Sequence, residues 1–219
     1  MTPSGKLQQQ AWMIAPETQK VFSALLSGGG AARFVGGCVR NALVNRDVLD
    51  IDIATALLPE EVIARLEAHK LPYAPTGLKH GTITAIVEGQ PFEITTLRRD
   101  VSTDGRHAAV AFTDDWEEDA ARRDFTFNAI FADRDGTLYD PFGGIADLRQ
   151  GLVRFVGDAK ARIEEDVLRI LRFFRFFAHF GQGAPDAAAL SACTAAADKI
   201  PKLSAERLRQ ETLKLLGAP

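Results

Sequence analysis

The chain has 219 residues, enough for one large or two small domains, and 46% of them are hydrophobic, enough for a core. Charged residues make up 25% and are spread along the chain, which argues against disorder; a formal net charge of -3 argues against a protein that coats nucleic acid by bulk charge but not against a local basic patch. Cys38 and Cys193 lie far apart with no metal or redox spacing, so a reducing, cytoplasmic setting is expected, and neither an apolar signal core nor a run of membrane-spanning length is present.

Residues 1–11 read as a polar, frayed start. Residues 16–27 read as a helix, with Pro16 in its first turn and Gly28-Gly29-Gly30 as its stop. A strand over 32–36 runs into Gly36-Gly37. A short helix over 38–45 carries Arg40, and a strand ending at Thr55 carries Asp50 and Asp52. Leu58-Pro59-Glu60-Glu61 opens a helix to about His69. Residues 77–97 read as a β-hairpin turning at Glu88-Gly89-Gln90, with Glu93 between Phe92 and Ile94 on the returning strand. Residues 98–115 are polar and read as a loop that is mobile without substrate. A helix around Trp116 to Arg123 delivers Arg122, Arg123 and Asp124 just before an apolar stretch, and a hairpin over 131–142 turns at Asp133-Arg134-Asp135-Gly136.

From about residue 157 the chain reads as all-helical. Residues 164–180 form a single expected helix, with Val167, Ile170, Leu171, Phe174 and Phe177 on its apolar face and Asp166 and Arg169 together on another. Arg172 follows a turn later. Two further helices are expected over 186–198 and 204–216. The expected fold class is therefore α+β: a mixed-sheet domain over 1–150 followed by an all-α domain over 151–219.

The chemistry concentrates between residues 34 and 55. In an extended chain Asp50 and Asp52 point to one side and Ile51 and Ile53 to the other. Two carboxylates on one face repel unless a cation lies between them, and a hard divalent ion, Mg²⁺ above all, suits them. Gly36-Gly37 allows close backbone approach to a phosphate. Alone, an Asp-x-Asp strand is an exposed polar face and a Gly-Gly is a turn; their order together favours the functional reading. Glu93 is either the solvent side of its strand or a third carboxylate of the same site, if its strand lies beside that of Asp52. Arg122 and Arg123 beside Asp124 are either a solvated helix end or a triphosphate site. Asp166 and Arg169 are either an intrahelical ion pair or an edge that hydrogen-bonds a nucleobase.

Seven stretches in order, FVGGCVRNAL, DIDIAT, GLKHGTITAIVEGQPFEITTLR, DGRHAAVAFTDDWEEDAARRDFTFNAI, DPFGGIADL, EEDVLRILRFFRF and LSAERLRQE, resemble the class II tRNA nucleotidyltransferases (CCA-adding enzymes) and their sister bacterial poly(A) polymerases. The resemblance runs from about residue 33 to the end. It implies a nucleotidyltransferase-type head domain followed by a helical neck. It implies an enzyme that adds CCA to tRNA 3′ ends from CTP and ATP and releases pyrophosphate. Poly(A) polymerase, CC-only or A-only addition, and a non-catalytic RNA- or nucleotide-binding module are the alternatives.

By position, the resemblance implies Asp50 and Asp52 as the Mg²⁺ ligands and Glu93 as a third catalytic acid. Arg122, Arg123, Asp124 and Asn128 would take the ribose and triphosphate, with Gly36, Gly37 and Arg40 also at the nucleotide. Asp166, Arg169 and Arg172 would face the base. The implied mechanism uses two metal ions and no nucleophilic side chain. Asn41 departs from the family's usual Asp and is read as local scaffolding. Members are longer than this chain, so it is expected to lack the C-terminal tRNA-gripping part and to bind tRNA weakly.

Overall fold

The structure, a computed structural model, describes residues 1–103 and 108–218. Its centre is an eight-stranded mixed sheet. The elements in chain order are β1 (Gly5–Lys6), α1 (Ala11–Ile14), α2 (Pro16–Leu26), β2 (Ala32–Val35), α3 (Gly37–Leu43), β3 (Ile51–Thr55), α4 (Pro59–Ala68), β4 (Tyr73–Gly77), β5 (Thr82–Val87) and β6 (Gln90–Thr96). A ribbon of β7 (Arg98–Thr103) and β8 (Ala108–Phe112) precedes α5 (Trp116–Ala121), β9 (Phe131–Ala132), β10 (Thr137–Tyr139) and α6 (Gly144–Gln150). The chain ends in α7 (Ala159–Glu165), α8 (Arg169–Phe180), α9 (Ala187–Ala195) and α10 (Ala205–Leu216). The sheet order is β1-β10-β9-β2-β3-β6-β5-β4. Among the described residues only β3 and β6 run parallel, in the register that sets Asp52 opposite Glu93. The expected α+β class, with helices alone after residue 159, is the observed one.

Strand alternation decides what each face does. Phe34, Ile51 and Ile53 point into the main core, with Phe22, Leu25, Val62 and Leu66 from the helices that cover it. The next residues along, Val35 and Ala54, point to the other face, into a smaller cluster with Ala120 of α5 and Phe131. Asp52 shares its face with Ala54. The second face is therefore only partly covered, and its uncovered end holds Asp52.

A set of phenylalanines joins the sheet region to the helices that follow. Phe125 contacts Phe155, with ring centroids 4.7 Å apart, and Phe176 of α8, at 5.3 Å; Phe127 meets Phe176 at 5.6 Å. Offset and edge-on pairs of this kind favour one arrangement over a slippery apolar contact.

Four expectations are corrected. The hairpin over 77–97 is a three-stranded meander that begins earlier, at β4, although its turn falls as expected, on Glu88 and Gly89 with φ of 53° and 82°. Residues 98–115 are not a plain loop: β7 and β8 pair antiparallel, because RDVST and AAVAF carry β-branched and apolar residues that suit strands. The expected mobility concerns a segment whose tip, 104–107, lies outside the described residues.

The single helix over 164–180 is broken at Asp166. Its backbone is extended (φ −154°, ψ 105°), and its Oδ1 accepts the Leu168 N–H at 3.1 Å, an alternative to the helical ladder that aspartate readily offers. The buried stripe of α8 is Ile170, Phe173 and Phe176, while Phe174 is 40% exposed. The expected face is therefore turned, because the helix begins afresh at Arg169 and its phase is set by the phenylalanine contacts.

Candidate nucleotide site

β2 delivers the chain to Gly36, whose φ of 70° lies where side-chain-bearing residues are strained. A Cβ built there would stand 3.8 Å from both Asp52 Oδ2 and Arg123 Nη1. The turn thus brings bare backbone against an acid and a guanidinium. Gly36 also caps α3, which carries Arg40 one turn later. Arg40 Nη1 donates to Asn128 Oδ1 at 2.6 Å, and its Nε and Nη2 donate to Asn41 Oδ1 at 3.1 and 2.8 Å. Its guanidinium lies 4.6 Å from the Phe180 ring centroid. Burial lowers its pKa to about 10, so it stays a cation at neutral pH. Asn41 Nδ2 in turn donates to the Asp47 carbonyl.

Asp52 is half-buried on β3, while Asp50 is exposed one residue before the strand begins. Burial, then the Glu93 carboxylate, and more weakly Asp50 push the Asp52 pKa up to about 6, against the pull of Arg123. Oxygen donors under mutual repulsion suit a hard divalent cation. Among the described residues, no group of three or more His, Cys, Asp or Glu side chains is already closed up as a metal cluster.

Asp124 is buried and fully engaged. Its Oδ1 accepts from the Phe125 N–H at 2.8 Å and Asn128 Nδ2 at 2.9 Å; its Oδ2 accepts from Arg172 Nε at 2.8 Å. Asn128 therefore bridges Asp124 to Arg40. The arginines 122 and 123 both bond Asp119, a buried carboxylate of α5. Among the described residues the side chains of Asp166 and Arg169 do not pair with each other, although the Arg169 N–H bonds the Asp166 carbonyl. Asp166 Oδ2 accepts from Arg207 of α10 at 2.7 Å, and Arg169 bonds Glu165 and the Arg162 carbonyl.

These groups surround one cleft of about 500 Å³. Eleven of the thirteen expected site residues line it: Gly36, Gly37, Arg40, Asp52, the Arg122–Asp124 run, Asn128, Asp166, Arg169 and Arg172. Asp50 and Glu93 are not among the lining residues. Arg98, Arg207, Leu168 and Phe176 are additions. Seven arginines face three aspartates there, so a chain of net charge -3 carries a strongly cationic hollow. Asp119 was legible in the sequence as a carboxylate three and four residues before Arg122 and Arg123. Arg207 had no such signal, because its partner is 41 residues away.

The sheet and cleft define an α+β fold with an arginine-lined hollow whose charge suits an anion. The chain belongs to the Poly A polymerase head domain family, whose sequence profile matches residues 32–154. It is 47% identical over 189 residues to the CCA tRNA nucleotidyltransferase 1, mitochondrial, of Danio rerio, across 84% of this chain and 43% of that protein. The crystal structure of the Bacillus stearothermophilus CCA-adding enzyme in complex with CTP is similar at a TM-score of 0.83 and 38% identity, over 94% of this chain and 50% of that one. A tRNA nucleotidyltransferase complexed with a primer tRNA and an incoming ATP analog is similar at a TM-score of 0.72 and 26% identity, over 90% of this chain and 58% of that one. The chain spans about half the length of the curated relatives it matches.

Proposed function

We propose that this chain is the catalytic head (residues 1–150) and neck (151–219) of a template-independent RNA nucleotidyltransferase that adds C, C and A to tRNA 3′ ends from CTP and ATP. The observation that carries the proposal is the arginine-lined cleft, bounded by the Gly36 turn and Asp52 at one end and by Asp166 at the other. Poly(A) polymerase shares the family profile, but the relatives named above are CCA-type enzymes. Among the described residues no helix is long and apolar enough to cross a membrane, and the two free, buried cysteines suit the cytoplasm of this proposal.

In the reaction the RNA 3′-hydroxyl loses its proton and bonds the α-phosphorus, and the α–β bridge breaks to release pyrophosphate. Arg122, Arg123 and Arg40 balance the charge of the triphosphate, and guanidinium forks match its oxygens two at a time. The backbone of Gly36 and Gly37 approaches the phosphates without side-chain obstruction. Asp50 and Asp52, with Glu93 on the adjacent strand, would hold Mg²⁺. That ion would supply the charge neutralisation and hydroxyl acidification the transfer needs. Asp166 and Arg169 face the base from the neck.

The test is incubation with tRNA lacking its 3′ end and single labelled nucleotides. Incorporation from CTP and ATP with Mg²⁺, and none from UTP or GTP, is expected. Incorporation of adenylate alone, in long runs, would favour the poly(A) reading. Absence of transfer together with tight RNA or nucleotide binding would favour a non-catalytic module.

A further inference from the structure

Asp119 lies outside the cleft, is 1% exposed, and touches no group assigned above to the nucleotide except Arg122 and Arg123. Four donors meet its two oxygens. Oδ1 accepts from Arg122 Nε at 3.1 Å and from the Arg98 backbone N–H at 3.2 Å; Oδ2 accepts from Arg123 Nε at 3.1 Å and Nη2 at 2.7 Å. A carboxylate offers about four lone-pair sites, so this one is saturated. Burial works against its charge, yet Arg123 and then Arg122 outweigh burial and keep it ionised.

One carboxylate shared by two guanidiniums leaves the cluster with net positive charge, so the pair stays attractive to an anion. What Asp119 removes is freedom: arginine side chains are long and rotamer-rich, and fixing them beforehand spares that loss on binding. The bond to the Arg98 N–H adds a mechanical link, because Arg98 is the first residue of β7. The arginine pair and the root of the ribbon are therefore held by a single side chain.

We propose that Asp119 is a positioning residue for the triphosphate: it sets the orientation of Arg122 and Arg123 at the cleft and ties that orientation to the root of the β7–β8 ribbon. The inference rests on the reading of the cleft as a triphosphate site.

Two measurements on the 219-residue chain test it, with CTP and inorganic tripolyphosphate as probes. In calorimetric titration the wild type should bind both. Asp119→Asn raises the net charge of the region by one, so a purely electrostatic role predicts equal or tighter binding. Positioning predicts the opposite, a loss of about tenfold for both probes, the scale of a lost charge-assisted bond. Equal or tighter binding by a folded Asp119→Asn overturns the proposal. Failure of the wild type to bind either probe overturns the triphosphate reading itself, and this inference with it.

The second measurement needs no variant. Saturating tripolyphosphate should slow hydrogen exchange at the Arg98 amide of the wild type, because the phosphate immobilises the arginines that share its acceptor. An Arg98 exchange rate unchanged on saturation overturns the link to the ribbon.

Discussion

Arg172 on α8 donates to Asp124 Oδ2 across 48 residues of sequence, and this ion pair fastens α8 to the segment that carries the arginine pair. Asp124 also fixes Asn128, and Asn128 fixes Arg40. A single buried carboxylate thus ties together α8, the amide that orients Arg40, and the arginine run beside it. Removing one partner of such a buried pair leaves the other uncompensated. Asp124→Ala should cost roughly 3 kcal/mol of stability, measured by urea denaturation.

The same pair gives the protein an acid limit. Burial raises the Asp124 pKa, but Arg172, Asn128 and the Phe125 N–H outweigh burial and hold it below the usual carboxylate range; Asp119 is held down by its own two arginines. Groups with depressed native pKa values stabilise fully above the unfolded value of about 4 and lose that contribution as pH falls below it. The urea midpoint should therefore fall as the pH drops below about 4, and Asp124→Asn should flatten that fall.

Asp52 has the opposite sign. Its native pKa is raised to about 6, chiefly by burial and then by Glu93. Its contribution to stability is present below the unfolded value near 4 and is lost as pH rises through 6. In the metal-free protein Asp52→Asn should therefore raise stability at pH 8 by on the order of 1–3 kcal/mol. It should also reduce transfer by about a thousandfold or more and abolish any rise in Tm on adding Mg²⁺. Near-normal transfer by this variant would remove Asp52 from the metal site.

Asn41 makes the charge of Arg40 available. Its amide oxygen takes two bonds from the guanidinium without neutralising it. Among the described residues Arg40 has neutral amide partners and ring faces, with no carboxylate in ion-pair contact. Asn41→Asp would place a carboxylate on the guanidinium in the same geometry. The fold should persist, and KM for CTP should rise about tenfold with kcat little changed, since a uniform attraction has been weakened. Steady-state kinetics at fixed Mg²⁺ reads this directly.

Local patterns made much of this legible. The Gly36-Gly37 turn, the Asp52 strand and the Arg122–Asp124 run each declare themselves within a few residues, and eleven expected positions meet at one cleft. The pairing of Asp52 with Glu93 depended on which strands run side by side, and the sequence left it conditional. The break at Asp166 is not visible in the sequence, because the apolar period of 164–180 is strong while the side chain that interrupts it competes through one local hydrogen bond. The β7–β8 ribbon is masked in the sequence by the charged and polar residues on either side of the apolar run AAVAF. Arg207 and Arg172 reach their carboxylates over 41 and 48 residues, distances at which no spacing rule operates.

Base choice is the prediction in which the broken helix matters most. Asp166 is not presented from a helix face but from an extended residue, with one oxygen on the Leu168 N–H and the other on Arg207. Its side chain is 30% exposed and borders the cleft, so lone pairs remain for a donor from the base. Cytosine and adenine both offer an amino group; uracil and guanine put a carbonyl in its place, which would face the carboxylate acceptor to acceptor. An acceptor lone pair that the bound base shuts off from water and leaves unpaired costs roughly 1–3 kcal/mol, more when charged, enough for tenfold or greater discrimination. Asp166→Ala should therefore relax selection against UTP and GTP or lose CTP and ATP use, and Arg207→Ala, which frees the carboxylate to turn, should do so more weakly. Both variants should keep the Tm rise on adding Mg²⁺, because Asp50 and Asp52 are untouched. The measurement is misincorporation across all four nucleotides. An unchanged preference in both variants would reduce Asp166 to the residue that ends α7.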